Sequence, residues 1–195
     1  MSIDGNANLE DVDLPQTLPI LALRDAVLFP GAIMPITVGR EKSLKLIKSA
    51  QKGTNIIGTV TQLDPKVEDP VVADLYRIGT TGRILKMLEM PDGSYTAILQ
   101  GIKRFSLNDI IATDPYLIGS VSYIDEIPLG TDEEKTAKML ASSIKDSALY
   151  ILKMTPHLPQ ESAFAIKNID SINFLVSMVA QNLENELTPE KMDIL

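Results

Sequence analysis

The chain has 195 residues, of which 45% are hydrophobic, and a formal net charge of −8. No apolar run approaches the roughly 18 residues that a membrane helix needs, and the negative charge disfavours a phosphate backbone as main partner. We therefore expect neither a membrane nor nucleic acid among its partners. The chain contains no cysteine, which excludes disulfides and thiolate metal ligands and fits a reducing compartment.

Residues 1–16 are polar and acidic and contain no pattern typical of a folded element. They have neither the basic start and apolar core of a secretory signal nor the Arg-rich character of a transit peptide. We interpret them as a disordered leader, and we expect a cytoplasmic, bacterial-type location.

Residues 17–127 are predicted to form a β-rich subdomain that carries one main helix. Leu18–Leu23 is an apolar run too short for a typical helix, which indicates a buried strand. A second strand is predicted over Ile33–Val38, and Pro35 confines it to a sheet edge or a bulge because proline donates no ladder hydrogen bond. The helix is predicted to follow from Arg40 to Lys52.

The hairpin around Pro91-Asp92-Gly93 is the clearest local signal in this part of the chain. It joins two apolar-rich runs, Thr80–Met90 and Tyr95–Gln100, through residues that favour a tight turn. Gly101 is expected to break the return strand. Two further strands are predicted, over Lys103–Ile111 and Tyr116–Ile124.

Residues 131–195 show helical periodicity and are predicted to form a helical subdomain. Thr131 and Glu134 fit a capping box at the start of a long amphipathic helix. Its apolar stripe is predicted to include the following residues: Ala137, Leu140, Ala141, Ile144, Ala148, Ile151 and Leu152. Two helices should follow, near Gln160–Asn168 and after an Asp170 cap. Thr188 opens another, which we expect to be truncated by the end of the sequence.

Motifs for catalysis, cofactor binding or metal binding are weak, and we predict no residue for any of these roles. Gly53–Gly58 has the glycine spacing of a phosphate-binding loop but lacks its lysine. Ser142 and Lys145 fit an S-x-x-K pattern without its companion motifs, on the polar side of a helix. His157 is the only histidine and cannot form a typical zinc site without cysteines.

Several short motifs occur in an order that resembles the N-terminal domain of the ATP-dependent Lon protease family. They are LPILALRD at Leu18–Asp25, FPG at Phe29–Gly31, PITVGREKS at Pro35–Ser43, DLY at Asp74–Tyr76, IGT at Ile78–Thr80, PDG at Pro91–Gly93, and Gln100-Gly101 with Arg104. In the helical half, Pro159 is followed by Asn168-Ile169-Asp170. The chain departs from the family pattern at Ala22, where the family usually has Pro, and at Gln100, where it usually has Glu.

The resemblance implies an α+β fold in which a PUA-like pseudo-barrel precedes a C-terminal α-helical bundle. It also implies a non-catalytic recognition domain for unfolded or degron-bearing proteins that supports a homo-hexamer. The parent protein would be an ATP-dependent endopeptidase with a Ser-Lys dyad. ATP and magnesium would bind only in an ATPase module outside this chain, so no cofactor is expected here.

Candidate partner-binding residues lie near the Phe-Pro-Gly turn, at the start of the first helix and among the methionines of the β-rich part. Methionine side chains repack easily against varied partners, although core packing is the more common role. The candidates are the following: Phe29, Pro30, Met34, Arg40, Glu41, Lys42, Met87 and Met90.

Two other functions remain open from the sequence. The chain could be a purely structural scaffold that supports the hexamer, or a stand-alone Lon-like adaptor or receptor in another degradation system. An RNA-binding role is disfavoured by the net charge.

Overall fold

A computed structural model describes residues 14–91, 94–128, 130–154, 160–183 and 188–195. The strands are β1 (Thr17–Leu23), β2 (Ile33–Val38), β3 (Ile56–Thr61), β4 (Ile78–Glu89), β5 (Tyr95–Ala112) and β6 (Ile118–Tyr123). The helices are α1 (Glu41–Gln51), α2 (Thr131–Met154), α3 (Gln160–Lys167), α4 (Ile172–Gln181) and α5 (Thr188–Ile194). Within these ranges, no helix combines the length and apolar character that crossing a bilayer requires.

The strands form one six-stranded sheet in the order β2-β5-β4-β3-β1-β6, and β5 also pairs with β6. β1 and β3 are parallel, whereas the other pairs are antiparallel. β2 lies at the sheet edge, which confirms the position predicted from Pro35. The fold is therefore mixed α and β, as predicted. The finer predictions, a PUA-like pseudo-barrel and a separate helical bundle, stay predictions.

β5 is longer than the sequence indicated, and the break predicted at Gly101 is wrong. The strand runs for 18 residues through Gly101, which pairs with Gly82 of β4. A Cβ atom at Gly101 would lie 2.1 Å from the main-chain oxygen of Phe29. The glycine therefore permits a close backbone crossing and does not end the strand.

Two helix starts differ from the predicted caps. Gly130 precedes α2, and its N–H group donates a hydrogen bond of 2.9 Å to Glu133 Oε2, so this acid takes the role predicted for Glu134. Ser171, not Asp170, caps α4, because its hydroxyl accepts a hydrogen bond from Phe174 N at 3.2 Å. Both differences are shifts of one residue, as expected for helix ends.

The apolar stripe predicted on α2 is only partly buried. Ala141 is buried and Ile144 is half-buried where α2 contacts α3 and α4. Leu140 and Ile151 are each 61% exposed, so their predicted inward position is wrong. Since α3 and α4 cover one side of the helix, the adjacent apolar residues remain in contact with solvent.

A small cluster connects the β-rich part to the last two helices. Val27 and Phe29, from the segment before β2, pack with Ala180 of α4, and Met192 and Leu195 at the end of the chain join them. The predicted division into residues 17–127 and 131–195 stays a prediction, and the cluster spans the proposed boundary.

Candidate protein-binding surface

An exposed apolar surface lies on the side of β2, β5 and β4 that faces away from the main core. We call it the outer face and define it by the following residues: Ile33, Pro35, Leu85, Leu88, Met90 and Ile98. The strand register places Pro35 beside Ile98 on β5, and Ile98 beside Lys86 on β4. Ile33 is 58% exposed, Leu85 46% and Met90 42%. Pro35 and Ile98 therefore lie side by side on neighbouring strands, whereas Ile33 lies beside Gln100.

Strand alternation explains which residues belong to the outer face. Successive side chains of a strand point to opposite faces, so Ile33, Pro35 and Thr37 share one side of β2. Met34 and Ile36 point the other way and pack on the core cluster that contains Leu99. A period-two reading of β2 together with the hairpin register would have found Ile33, Pro35 and Ile98, which the sequence prediction missed.

The predicted methionines divide between the two sides of the sheet. Met34 and Met87 are half-buried and pack against the core, and the Met34 sulfur accepts a hydrogen bond of 3.1 Å from Gln181 Nε2. Met90 alone among the predicted methionines belongs to the outer face. The structure thus places Met90 on the same side of the sheet as Leu85 and on the opposite side from Met34.

Phe29 is fully buried, which corrects its predicted place on a binding surface. Its N–H group donates a hydrogen bond of 3.1 Å to Gln181 Oε1 on α4. Gly31 has a φ of 76°, and a Cβ there would lie 2.8 Å from the Phe174 ring. Pro30, between them, is half-buried. The Phe-Pro-Gly turn therefore packs against α4 and connects it to the β-rich part.

Arg40 is engaged within the chain. Its Nη2 donates to the carbonyl oxygen of Val67 at 3.0 Å, and its Nε lies 3.9 Å from Glu68, which also pairs with Arg24 at 2.8 Å. Burial lowers the pKa of Arg40, and the positive charge of Arg24 lowers it further, while Glu68 and Asp69 oppose this change. Arg40 therefore fixes the loop that contains Val67 and Glu68.

Glu41 and Lys42, also predicted to bind partners, make ion pairs near the start of α1. Lys42 Nζ lies 2.9 Å from Asp69, and Lys45 Nζ lies 2.7 Å from Glu41. The hydrogen bond from Lys45, followed by its charge, lowers the pKa of the Glu41 carboxyl. Both pairs are exposed, and exposed pairs contribute little to stability. Glu41 and Lys42 therefore remain exposed, and Arg40, just before them, lines a nearby groove.

That groove lies between the end of β1 and the free edge of β2 and has a volume of about 760 Å³. β1 and the residues after it line one side, and Pro35–Thr37 line the other. Arg24, Arg40 and Glu68 also line it. The volume falls within the roughly 300–1,000 Å³ of ligand clefts. We call it the edge groove.

Of the positions that the sequence analysis considered for catalysis, Ser142 and Lys145 belong to the described residues. Lys145 Nζ donates a hydrogen bond to the Ile169 carbonyl oxygen, so this amine is held by the backbone rather than directed at Ser142. His157 lies outside the described residues. Among the described residues, no group of three or more His, Cys, Asp or Glu side chains is placed to hold a metal ion.

Comparisons with known proteins identify relatives over nearly the whole chain. Residues 17–195 match the family model described as the ATP-dependent protease La (LON) substrate-binding domain. The Lon protease of Flavobacterium johnsoniae is 45% identical over 98% of this chain and 23% of its own length. The Lon protease of Cytophaga hutchinsonii is 41% identical over 94% of this chain and 22% of its own length.

Solved structures agree in fold. The N-terminal domain of Mycobacterium avium complex Lon protease superimposes with a TM-score of 0.71 at 18% identity, over 91% of this chain and 95% of that one. A Lon N-terminal domain protein from Xanthomonas campestris gives a TM-score of 0.59 at 20% identity, over 89% and 88%. On the family match and these relatives, the chain belongs to the Lon substrate-binding domain family.

Proposed function

We propose that this chain recognises unfolded or degron-bearing proteins through the outer face, as the non-catalytic substrate-binding part of a Lon-like protease. The observation that carries the proposal is the set of apolar side chains on the outer side of β2, β5 and β4, of which Ile33, Leu85 and Met90 are exposed. An unfolded protein differs from a folded one chiefly in exposing apolar segments, which such a surface can cover. Binding of this kind requires no cofactor.

The physical size of the outer face implies weak binding by a single copy. If a partner covered about 300 Å² of apolar surface, the gross stabilisation would be about 7 kcal/mol. Association costs an estimated 4–15 kcal/mol in lost freedom, so the net affinity would be low. Several copies held together would raise the effective affinity without any new contact.

We propose that the wider protein supplies this multiplicity. The chain spans 23% and 22% of the two curated Lon proteases described above, which leaves most of each relative outside the match. The support for a homo-hexameric, ATP- and magnesium-dependent Ser-Lys endopeptidase acting in cytoplasmic protein quality control is this kinship together with the resemblance of the motifs. The absence of cysteine is compatible with that location.

The test is a binding titration with reduced, carboxymethylated lactalbumin, an unfolded protein that carries a fluorescent label. The variant Ile33→Ser/Leu85→Ser/Met90→Ser should weaken binding at least tenfold, because it removes the most exposed apolar groups of the outer face. The matched control is Met139→Ser/Ile151→Ser/Met154→Ser on α2, where the three side chains are 68%, 61% and 65% exposed. If the control weakens binding and the first variant does not, the proposal is wrong.

A second candidate function is subunit contact, favoured by the exposed apolar residues of α2 and α3. Met139, Tyr150 and Met154 on α2 and Phe164 on α3 are all more than three-fifths exposed, at 68%, 65%, 65% and 66%. A scaffold that supports a hexamer would cover such residues on assembly. Sedimentation of the α2 control variant beside the unmodified chain tests this candidate, which predicts that only the unmodified chain self-associates.

A further inference from the structure

Among the residues that the structure describes, no strand covers one main-chain edge of the C-terminal part of β1. β6 pairs with β1 only at Thr17–Pro19, and Ile20 N donates to the Leu117 oxygen at 2.8 Å just beyond it. On the other side of β1, Gln62 N donates to the Leu23 oxygen at 2.7 Å. Because main-chain groups of successive residues point in opposite directions, the N–H and C=O groups of Ala22 point away from β3 and toward the edge groove.

β2 presents a second free edge to the same groove. Gly101 N donates to the Ala32 oxygen at 2.9 Å, so the even-numbered residues of β2 bond to β5. The main-chain groups of Pro35 and Thr37 therefore point away from β5. Pro35 offers only its carbonyl oxygen, since it has no N–H group. Thr37 offers both a donor and an acceptor.

The two edges face each other across one space. The edge groove is lined by Leu21–Ala26 on one side and by Pro35–Thr37 on the other. Among the described residues, no turn or loop hydrogen bond uses the N–H group of Ala22 or Thr37. An exposed strand edge with unused donors and acceptors is a template for an added strand.

We propose that the edge groove binds an extended, proline-free segment of an unfolded protein by strand addition, through main-chain hydrogen bonds to Ala22 and Thr37. The inference rests on the proposed function and adds to it a second contact, in which the backbone of the substrate is recognised. Strand addition gives affinity through the main chain and tolerates varied side chains.

The charges around the groove favour a neutral backbone as the occupant. Arg24 and Arg40 are balanced by Asp25 and Glu68, and all four residues line the groove. Because two cations and two anions give these four residues no net charge, they do not favour an acidic or a basic segment. Recognition in the groove therefore depends on hydrogen bonding and on the absence of proline in the substrate.

Ala22 supplies one of the main-chain N–H donors that point into the edge groove. A proline at this position would remove that N–H group, because proline has none. The substitution Ala22→Pro therefore removes a single donor from the groove.

The test uses the full chain and a fluorescein-labelled peptide of alternating Val and Thr. Ala22→Pro and Thr37→Pro each remove an N–H group that the sheet does not use, and each should raise the Kd about two- to tenfold, as expected for one hydrogen bond. Ala22→Ser and Thr37→Val keep the N–H group and should leave the Kd unchanged. The same peptide N-methylated at alternate residues should bind the unmodified chain more weakly.

Amide hydrogen exchange in the unmodified chain gives an independent readout, even if a proline variant fails to fold. The peptide should slow exchange at Ala22 and Thr37 and leave Ile36, which already bonds to β5, unchanged. Binding that is retained in both proline variants, or no slowing at Ala22 and Thr37, overturns the inference while the outer-face proposal stands. No binding of either the peptide or unfolded lactalbumin overturns both.

Discussion

Gly101 occupies the point where β5 passes beneath the Phe-Pro-Gly turn. A Cβ atom there would lie 2.1 Å from the Phe29 oxygen and 2.8 Å from the Phe29 carbonyl carbon, and both are backbone atoms that a rotamer change cannot move away. We predict that Gly101→Ala lowers the free energy of unfolding by at least about 2 kcal/mol, measured by urea denaturation. Gly39→Ala is the control, because no atom lies within 4 Å of its added Cβ. Equal stability of the two variants would contradict the prediction.

Lys191 is a charged residue in α5 that is only 1% exposed, and burial lowers its pKa. It makes no ion pair with any residue that the structure describes. Between its lowered pKa and the ordinary value of 10.5, the unfolded chain binds more protons than the folded chain. The free energy of unfolding should therefore rise with pH across that interval.

Lys191→Met keeps most of the side-chain volume and removes the charge. We predict that it stabilises the fold at neutral pH by about 1 kcal/mol and flattens the rise toward alkaline pH. Urea denaturation at neutral pH and near 10.5 measures both effects. Lys138→Met is the control, since Lys138 is exposed on α2. A variant that is less stable than the unmodified chain at neutral pH would show that the Lys191 charge is compensated.

At the scale of elements, the contact between the Phe-Pro-Gly turn and α4 connects the two halves of the chain. Phe29 packs with Ala180 and bonds to Gln181, and no part of its side chain is exposed. We predict that Phe29→Ala costs about 3–5 kcal/mol, as measured by thermal or urea unfolding. Phe164→Ala should change stability by less than about 0.5 kcal/mol, because that ring is 66% exposed. A loss of less than about 1 kcal/mol in Phe29→Ala would mean that the contact between the turn and α4 does not stabilise the fold.

The elements themselves could be predicted from local patterns, whereas their contacts could not. The edge position of β2 followed from Pro35, and the β4–β5 hairpin from its turn residues. The burial of Phe29 depends on α4, which lies about 150 residues further along the chain, as its hydrogen bond to Gln181 shows. Gly101 appeared to break a strand because the atom that requires a glycine there belongs to a distant turn.

For the candidate surface, too, the sequence indicated residue types but not the contacts that those residues make. Met90 was found from its residue type, but Met34 and Met87 were placed with it because composition does not say which side of a strand faces the core. Arg40 was expected at an exposed helix start, and its bond to Val67 could not be predicted without knowing the path of the intervening loop. Period-two alternation was the available signal for Ile33 and Pro35.

At the scale of the whole molecule, the outer face and the edge groove meet at β2. Pro35 belongs to the outer face and also lines the groove, so one bound segment could contact both. Raising the salt concentration distinguishes binding by these two sites from binding by the charged groups near α1. Apolar and main-chain contacts persist at high ionic strength, whereas exposed ion pairs such as Lys42–Asp69 are screened.

The most direct test of the central claim is an NMR titration of the full chain with reduced, carboxymethylated lactalbumin at low and high salt. We predict that amide shifts concentrate at Ile33, Leu85, Met90 and Ile98 and survive high salt, because the outer face binds through apolar contact. Shifts that concentrate instead on α2 and α3, around Tyr150 and Phe164, or that vanish at high salt, would contradict the account.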